Sequence, residues 1–175
     1  MNKGVVVRRA RLDDLQSIVE LRLALLREYH DHPLYANLRP DAPDRALDLF
    51  RGQLMSPNEV MFIAEHDGAA VGVLRCVESP MSPLLFPDRY CYVSSVYVRP
   101  AERRQGVLRA LVAAAEHWCD DRGITEIRLH SAPSSPAASG AWDALGFEVV
   151  EQVRRRPVTG PNQSDVSGRS HAEAR

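Results

Sequence analysis

The positions of the prolines constrain this chain more than any other feature. Proline lacks a backbone N–H and fixes its own φ angle, so it ends helices and is excluded from central strands. Regular elements must therefore lie in the proline-free stretches, and the prolines mark ends and loops. The 175 residues contain twelve prolines, at positions 33, 40, 43, 57, 80, 83, 87, 100, 133, 136, 157 and 161.

Hydrophobic periodicity in the first half predicts two helices and three strands. In chain order these are a strand over residues 4–9, a helix from Asp13 to about His30, a helix over Pro43–Met55, and strands over Val60–Glu65 and Ala69–Glu78. The dipeptide Asp67-Gly68 between the last two strands supplies the positive φ angles of a tight hairpin turn. These two strands therefore form a β-hairpin.

The second half predicts a loop and then alternating strands and helices. A stiff loop over residues 79–89 leads into a strand over Tyr90–Val98, a polar turn over Arg103–Gly106, a helix from Val107 to Gly123, a strand over Ile124–Ser131, a short helix opened by Ser135 and Pro136, and a last strand over Phe147–Arg155. The order is β-α-α-β-β-β-α-β-α-β. We predict one domain over residues 1–156 and a disordered tail over 157–175, which offers almost nothing to bury.

Composition excludes several classes of protein. The chain is 45% hydrophobic and 26% charged, as in an ordinary globular domain. Its 22 basic and 23 acidic residues provide no concentrated positive field, so we expect no nucleic-acid partner. Three widely spaced cysteines predict neither a disulfide framework nor a metal knuckle. The longest apolar run, Ala110–Ala115, is far below the roughly 20 residues that span a bilayer, so we expect no membrane association and a cytoplasmic location.

The segment over residues 93–111 carries the clearest chemical signal. A strand ends there, a polar turn with Arg103, Arg104 and Gly106 follows, and a helix begins. The first N–H groups of a helix lack partners and attract phosphate, and arginines add charge-assisted donors. The alternative to a phosphate site is an ordinary strand-turn-helix junction that binds no ligand and whose two arginines are solvated. Neither a Walker motif nor a GxGxxG dinucleotide motif is present.

Two motifs in this context resemble the Gcn5-related N-acetyltransferase (GNAT) superfamily. The family signature Arg/Gln-x-x-Gly-x-Gly/Ala, behind a strand ending in Val-x-Pro, is similar to Arg103–Leu108 behind Val98–Pro100. An aromatic residue followed by three residues and Gly-Phe is similar to Trp142–Phe147. The resemblance covers about residues 4–155. It implies a mixed α/β fold, α+β-like, with a central, mostly antiparallel sheet that contains a splayed parallel pair and is flanked by about four helices.

The resemblance also implies acetyl-CoA as cosubstrate. Backbone N–H groups of residues 104–109 would hold the pyrophosphate, and the pantetheine arm would lie along Val96–Val98. The amide near Val96 would face the thioester carbonyl. The residues implied in cofactor binding are Val96, Tyr97, Val98, Arg103, Arg104, Gln105, Gly106, Val107, Leu108, Arg109, Ser135 and Trp142.

Three positions depart from the family pattern. Leu108 stands where the motif has Gly or Ala, Trp142 where many members have the Tyr that protonates the thiolate, and Ser94-Ser95 where many have a strand carboxylate. A primary amine with a pKa near 10.4 must lose a proton, which costs roughly 4.6 kcal/mol at pH 7 without a base. The catalytic candidates are Val96 for the oxyanion, and Glu78, Ser94, Tyr92 and His130, with Tyr90 beside them.

The acceptor site is implied at the junction after the first helix. Glu28, Tyr29, His32 and Tyr35 are the predicted acceptor contacts, and adjacent His30, Asp31 and His32 do not predict a metal site. We therefore predict an N-acetyltransferase that moves an acetyl group from acetyl-CoA to a primary amine of a small molecule or protein by direct attack. The alternatives are a catalytically degenerate acyl-CoA-binding module and a cleft used only for packing. The sequence does not decide whether the protein forms a homodimer.

Overall fold

The structure is a computed structural model that describes residues 4–131 and 136–157, without the side chains of 136–138. It divides into two compact units, separated after Ser135. The first contains the sheet and three α-helices, and the second contains one short helix. Ser135 and residues 158–175, which include all of the predicted tail except Pro157, lie outside the described residues.

The first unit is built on a five-stranded sheet in the order β1-β2-β3-β4-β5. Its first three pairings are antiparallel, and β4 pairs with β5 in parallel. This is the mixed sheet that the resemblance implies. The strands are β1 (Val6–Arg9), β2 (Glu59–His66), β3 (Ala69–Pro80), β4 (Arg89–Val98) and β5 (Ile127–Leu129).

Two helices lie on one face of the sheet and one on the other. The helices are α1 (Leu15–Glu28), α2 (Ala42–Leu54) and α3 (Val107–Asp120), with α4 (Pro136–Asp143) in the second unit. Buried side chains of α1 and α2, including Leu21 and Phe50, form one core with Val73 and Tyr97 of the sheet. On the opposite face, Gly72 of β3 lies directly under Val107 and Leu111 of α3.

Local turn chemistry sets several element ends as predicted. Asp67 and Gly68 have φ angles of 50° and 80°, and they join β2 to β3 in the predicted hairpin. Gly123 has φ 64°, and the N–H of Ile124 donates to the carbonyl of Cys119 at 2.9 Å. That bond closes the end of α3 around a left-handed glycine.

Two predicted strands differ from the structure. The strand predicted over Ile124–Ser131 is shortened to Ile127–Leu129, because Ile124 is used in the cap of α3 and only three residues pair with β4. The strand predicted over Phe147–Arg155 is wrong: these residues have no regular structure, and Val149 and Val150 are each 78% exposed. A β-rich composition makes a strand only where a neighbouring strand is available. Among the described residues, no helix is long and apolar enough to cross a membrane.

Candidate functional site

The central feature of the site is a bulge in β4. Val73 of β3 pairs with Tyr97 and Arg75 with Ser94, so Ser95 and Val96 together oppose a single β3 residue. Ser95 has a φ of 54°, which costs a non-glycine residue about 1 kcal/mol or more. A bulge of this kind turns backbone groups away from the ladder and re-aims nearby side chains. The Val96 amide named from the sequence therefore lies at the distorted point of the strand.

Beside the bulge, β4 and β5 separate. They pair only from Cys91 with Ile127 to Val93 with Leu129, although β4 continues to Val98. The five residues of β4 beyond Val93 therefore have no partner on that side among the described strands. A gap between parallel strands leaves backbone N–H and C=O groups free to bind an extended ligand.

The turn before α3 presents backbone N–H groups to solvent. Gly106 caps the helix with φ 84°, and an added Cβ there would meet nothing within 4 Å. Arg104 is also left-handed, with φ 61°. Arg104 and Arg109 are exposed, whereas Val107 is buried and Leu108 is half-buried. The first turn of α3 thus combines an open backbone with two exposed cations, which is the geometry that favours a phosphate.

Arg103 is engaged elsewhere. Its Nε donates to the carbonyl of Val98 at 2.9 Å, and its Nη2 donates to Glu28 at 2.6 Å. Its guanidinium also lies 5.6 Å from the centre of the Tyr97 ring. Arg103 therefore ties the turn before α3 to the carboxyl end of α1, which is a bracing role. Gln105 donates to the carbonyl of Ala101 at 2.8 Å and also braces the turn.

Two of the catalytic candidates meet at the edge of the gap. The hydroxyl of Tyr92 lies 3.1 Å from Nδ1 of His130, the residue that follows β5. The rings are 5.5 Å apart in an edge-to-face arrangement. Burial is the main cause that raises the pKa of Tyr92, so the phenol stays protonated at neutral pH. The phenol donates to Nδ1 of His130 when the imidazole carries its proton on Nε2.

Ser94 is on the same sheet face but is occupied. Its hydroxyl accepts a hydrogen bond at 3.2 Å from Arg75. Arg75 is paired with Glu59 at 2.6 Å, and both side chains are only 17% exposed. Ser94 is thus one end of a half-buried polar chain.

Glu78 does not join this cluster. Its strand partner is Cys91, a buried residue on the side of α3, near Cys119 of that helix. Because side chains alternate between faces along a strand, Glu78 lies on the α3 face and Tyr92 on the α1 face. The carboxylate is bound by Arg89 at 2.8 Å and by Arg122 at 3.0 Å.

The predicted acceptor contacts form an aromatic cluster after α1. His32 stacks on Tyr35 with ring centres 5.0 Å apart, and Tyr29 contacts both rings edge to face. Glu28, the fourth predicted contact, is the partner of Arg103. Three aromatic side chains and one paired carboxylate therefore surround this end of α1.

The structure also reveals two basic residues that the sequence prediction missed. Arg22 is half-buried on α1, within electrostatic range of Tyr35, Arg75 and Tyr92. Desolvation lowers its pKa. The sequence could have indicated this position, because Arg22 follows Ile18 by four residues and so lies on the buried stripe of the helix. Arg75 gave a similar signal, as a charge in the middle of an apolar strand.

The other predicted cofactor residues lie in or before the second unit. Trp142 is half-buried on α4 and packs edge to face against Phe147, with ring centres 5.3 Å apart. This contact joins the two ends of the second motif. Ser135 lies outside the described residues.

Comparison with known proteins identifies the family. A profile of the acetyltransferase (GNAT) family matches residues 19–147. The chain belongs to the acetyltransferase (GNAT) family. It is 34% identical over 113 residues to aminoglycoside N(6')-acetyltransferase type 1 of Klebsiella aerogenes, covering 63% of this chain and 74% of that protein. The chain is an acetyl-CoA-dependent N-acetyltransferase.

Solved structures share the GNAT fold. The structure of AAC(6')-Iy in complex with the bisubstrate analogue CoA-S-monomethyl-acetylneamine has a TM-score of 0.73 and 23% identity, covering 90% of this chain and all of that one. The crystal structure of a predicted acetyltransferase from Clostridium acetobutylicum with acetyl-CoA has a TM-score of 0.71 and 17% identity, covering 87% of this chain and 96% of that one. Because the chain belongs to the acetyltransferase (GNAT) family, acetyl-CoA is its cosubstrate.

The residues present fit that cosubstrate. Open space at Gly106 allows close approach of a pyrophosphate to the first turn of α3. Leu108 is half-buried and Val107, not Leu108, fills the position against Gly72, so the departure from Gly/Ala leaves the cap glycine clear. The gap between β4 and β5 leads from this turn to the Tyr92–His130 pair.

Proposed function

We propose that this enzyme acetylates a primary amine of a small molecule held on the α1 face of the sheet, and that Tyr92 and His130 remove the proton of the amine. The observation that carries the proposal is the 3.1 Å contact between Tyr92 and His130 at the edge of the gap where β4 leaves β5. It is the one titratable pair among the catalytic candidates that the described structure joins.

The first part of the proposal concerns binding. Backbone N–H groups at the start of α3 hold the pyrophosphate, with Arg104 and Arg109 as its nearest exposed cations. The pantetheine arm lies along Val96–Val98, where β4 has no strand partner on the β5 side. Arg103 acts through bracing, because its Nε donates to Val98 and its Nη2 donates to Glu28.

The second part concerns the reaction. Acetyl-CoA supplies the acetyl thioester, the amine nitrogen forms the new C–N bond, and the C–S bond breaks, so that CoA leaves as a thiolate that takes its proton from water. The Val96 amide at the bulge donates to the thioester oxygen, whose negative charge develops only in the transition state. The amine proton passes to the Tyr92 oxygen as the Tyr92 proton passes to Nδ1 of His130. This relay needs no strand carboxylate, which explains how the enzyme works with Ser94 and Ser95.

Aminoglycosides are a second class of acceptor. They are favoured by the relatives in Klebsiella aerogenes and Salmonella typhimurium, which are named aminoglycoside N(6')-acetyltransferases and are 34% and 30% identical to this chain. A polycation is favoured by free carboxylates, however, and two glutamates on this side of the sheet, Glu28 and Glu59, are already paired with Arg103 and Arg75.

The test is CoA thiol release over a panel of amines, run beside acetyl-CoA binding. We expect amine-dependent release, with Tyr92→Phe and His130→Gln each lowering kcat by about 100-fold or more. Because the two residues act in one relay, the double variant should lose no more than the worse single variant. If the protein binds acetyl-CoA but releases no CoA with any amine of the panel, the proposed transferase activity is contradicted. If the losses in kcat of the two single variants add up in the double variant, the relay is refuted, but the transferase activity is not.

A further inference from the structure

A half-buried cation stands on the acceptor side of the site. Arg22 occupies the inner face of α1, between the turns of Ile18 and Leu25. In the described part of the chain, its guanidinium has neither a hydrogen-bond nor an ion-pair partner. Its nitrogen atoms are not among the fully buried, unpartnered side-chain atoms of the described residues, so a ligand can reach them, while the partial burial has removed some of the hydration of the charge. A bound ligand is one way to compensate it.

The surroundings of Arg22 contain no compensating charge. The groups that act electrostatically on it are Tyr35, Arg75 and Tyr92, two phenols and a cation, and no described carboxylate is among them. Arg75 has its own counter-ion in Glu59 at 2.6 Å. Arg22 therefore carries the uncompensated positive charge of this face.

Arg22 lies on the side of α1 that faces the sheet, and α1 packs against β4, the strand that carries Tyr92. Tyr92 belongs to the proton relay, and Tyr35 belongs to the aromatic cluster after α1. An anionic group bound to Arg22 would thus belong to a molecule whose other end can reach Tyr92. The planar guanidinium has paired donors that match the two oxygens of a carboxylate.

We propose that the acceptor carries a carboxylate as well as its primary amine, and that Arg22 binds this carboxylate. The acceptor class is then an amino acid or a short peptide. This inference rests on the proposed function, since it concerns the acceptor of the same site. It disfavours a polycationic acceptor, which would bring its positive charges towards Arg22.

The experiment uses matched pairs of acceptors. Amino acids, ω-amino acids of increasing length and dipeptides are each assayed beside their carboxamides, with an aminoglycoside and phosphoethanolamine as further acceptors. CoA release is measured for the wild type, Arg22→Gln and Arg22→Lys. Arg27→Gln is the matched control, because Arg27 is exposed on the same helix. Ratios between variants are taken for one acceptor at a time, so differences in amine basicity cancel.

We expect the wild type to prefer an acid over its amide. Arg22→Gln should lower kcat/KM for the acid by about 10- to 100-fold, the loss of a charge-assisted hydrogen bond, and change the amide far less. Arg22→Lys should recover part of the loss, and Arg27→Gln should change neither. The KM for acetyl-CoA should be the same in all variants.

Several results would overturn the inference. Equal losses on acid and amide would show that Arg22 is only structural. Better turnover of the amide or of the aminoglycoside by the wild type would exclude a carboxylate acceptor, and Arg22-dependent preference for phosphoethanolamine would assign the site to phosphate. In each of these cases the transferase activity stands. Failure of every acceptor, in a protein that binds acetyl-CoA, would instead remove the proposed function itself.

Discussion

Replacing Gly72 by Ala tests how α3 is held against the sheet. Gly72 has ordinary backbone angles, so alanine is allowed there, and only space decides the outcome. The added Cβ would lie 3.2 Å from Cδ1 of Leu111 and from the carbonyl oxygen of Tyr97, and 3.3 Å from Cγ1 of Val107. Ordinary carbon contacts are about 3.5–4.0 Å, so these neighbours must move by a few tenths of an ångström.

The carbonyl of Tyr97 belongs to the sheet and cannot move alone, so α3 must shift outward. Overpacking of this kind costs about 1–3 kcal/mol, against roughly 0.5–1 kcal/mol gained by replacing glycine. The net loss is therefore about 1–2 kcal/mol. A change of 1 kcal/mol shifts Tm by about 2–4 °C in a domain of this size, so Tm should fall by several degrees.

Gly52→Ala is the matched control. Gly52 lies in α2, and an added Cβ would meet nothing within 4 Å. Alanine should stabilise that helix by up to about 1 kcal/mol, so the two substitutions should have opposite signs. Thermal unfolding of both variants measures this, and acetyl-CoA titration should show weaker binding only for Gly72→Ala, because Val107 starts the helix that we propose to hold the pyrophosphate. A Gly72→Ala protein as stable as the wild type would refute the close packing of α3 on β3.

Three further predictions concern a pH-dependent contact, the tryptophan of the second motif and the tail. His66 contacts Glu102 at 2.8 Å, and this hydrogen bond raises the pKa of His66. The contact therefore contributes fully to the stability of the folded protein below about pH 6.5, the pKa of His66 in the unfolded chain. Its contribution is lost as the pH rises through the higher pKa of His66 in the folded protein. The Tm difference between wild type and Glu102→Gln should shrink from pH 5.5 to pH 9, and a constant difference would refute this. Trp142→Phe should lower kcat at saturating acetyl-CoA by less than about tenfold, since indole has no acidic proton to give, whereas losing a general acid costs about 100-fold or more. A larger loss in a folded enzyme with intact CoA binding would assign the indole N–H a direct part. Deleting residues 158–175 should leave Tm and acetyl-CoA affinity unchanged, and a drop of several degrees would show that the tail packs on protein.

Local chemistry made parts of this fold predictable. The hairpin followed from Asp67-Gly68, and the bounds of α3 followed from Gly106 and Gly123, because each position needs a positive φ angle. Such requirements depend only on the residue and its immediate neighbours. The family motifs added the parallel pair and the cosubstrate.

Tertiary relations were not predictable in the same way. Whether Glu78 and Tyr92 share a face depends on the register of β3 with β4, which the intervening loop sets. The bulge at Ser95 could not be predicted, because a Ser-Ser pair in a strand sequence does not indicate a bulge. Arg22 could be placed on the buried stripe of α1 by counting residues, but only the packed structure shows that no described residue compensates its charge.

The most direct test of the account is acetyl-CoA binding to Gly106 variants. At a hundredfold excess over its Kd, acetyl-CoA should stabilise the wild type by about 2.7 kcal/mol. Gly106→Ala, which only strains the left-handed cap at φ 84°, should lower intrinsic stability but keep most of the shift. Gly106→Glu places a carboxylate at the proposed pyrophosphate site, so we predict that its thermal shift disappears. An unchanged shift in folded Gly106→Glu would contradict the placement of the cosubstrate at the start of α3.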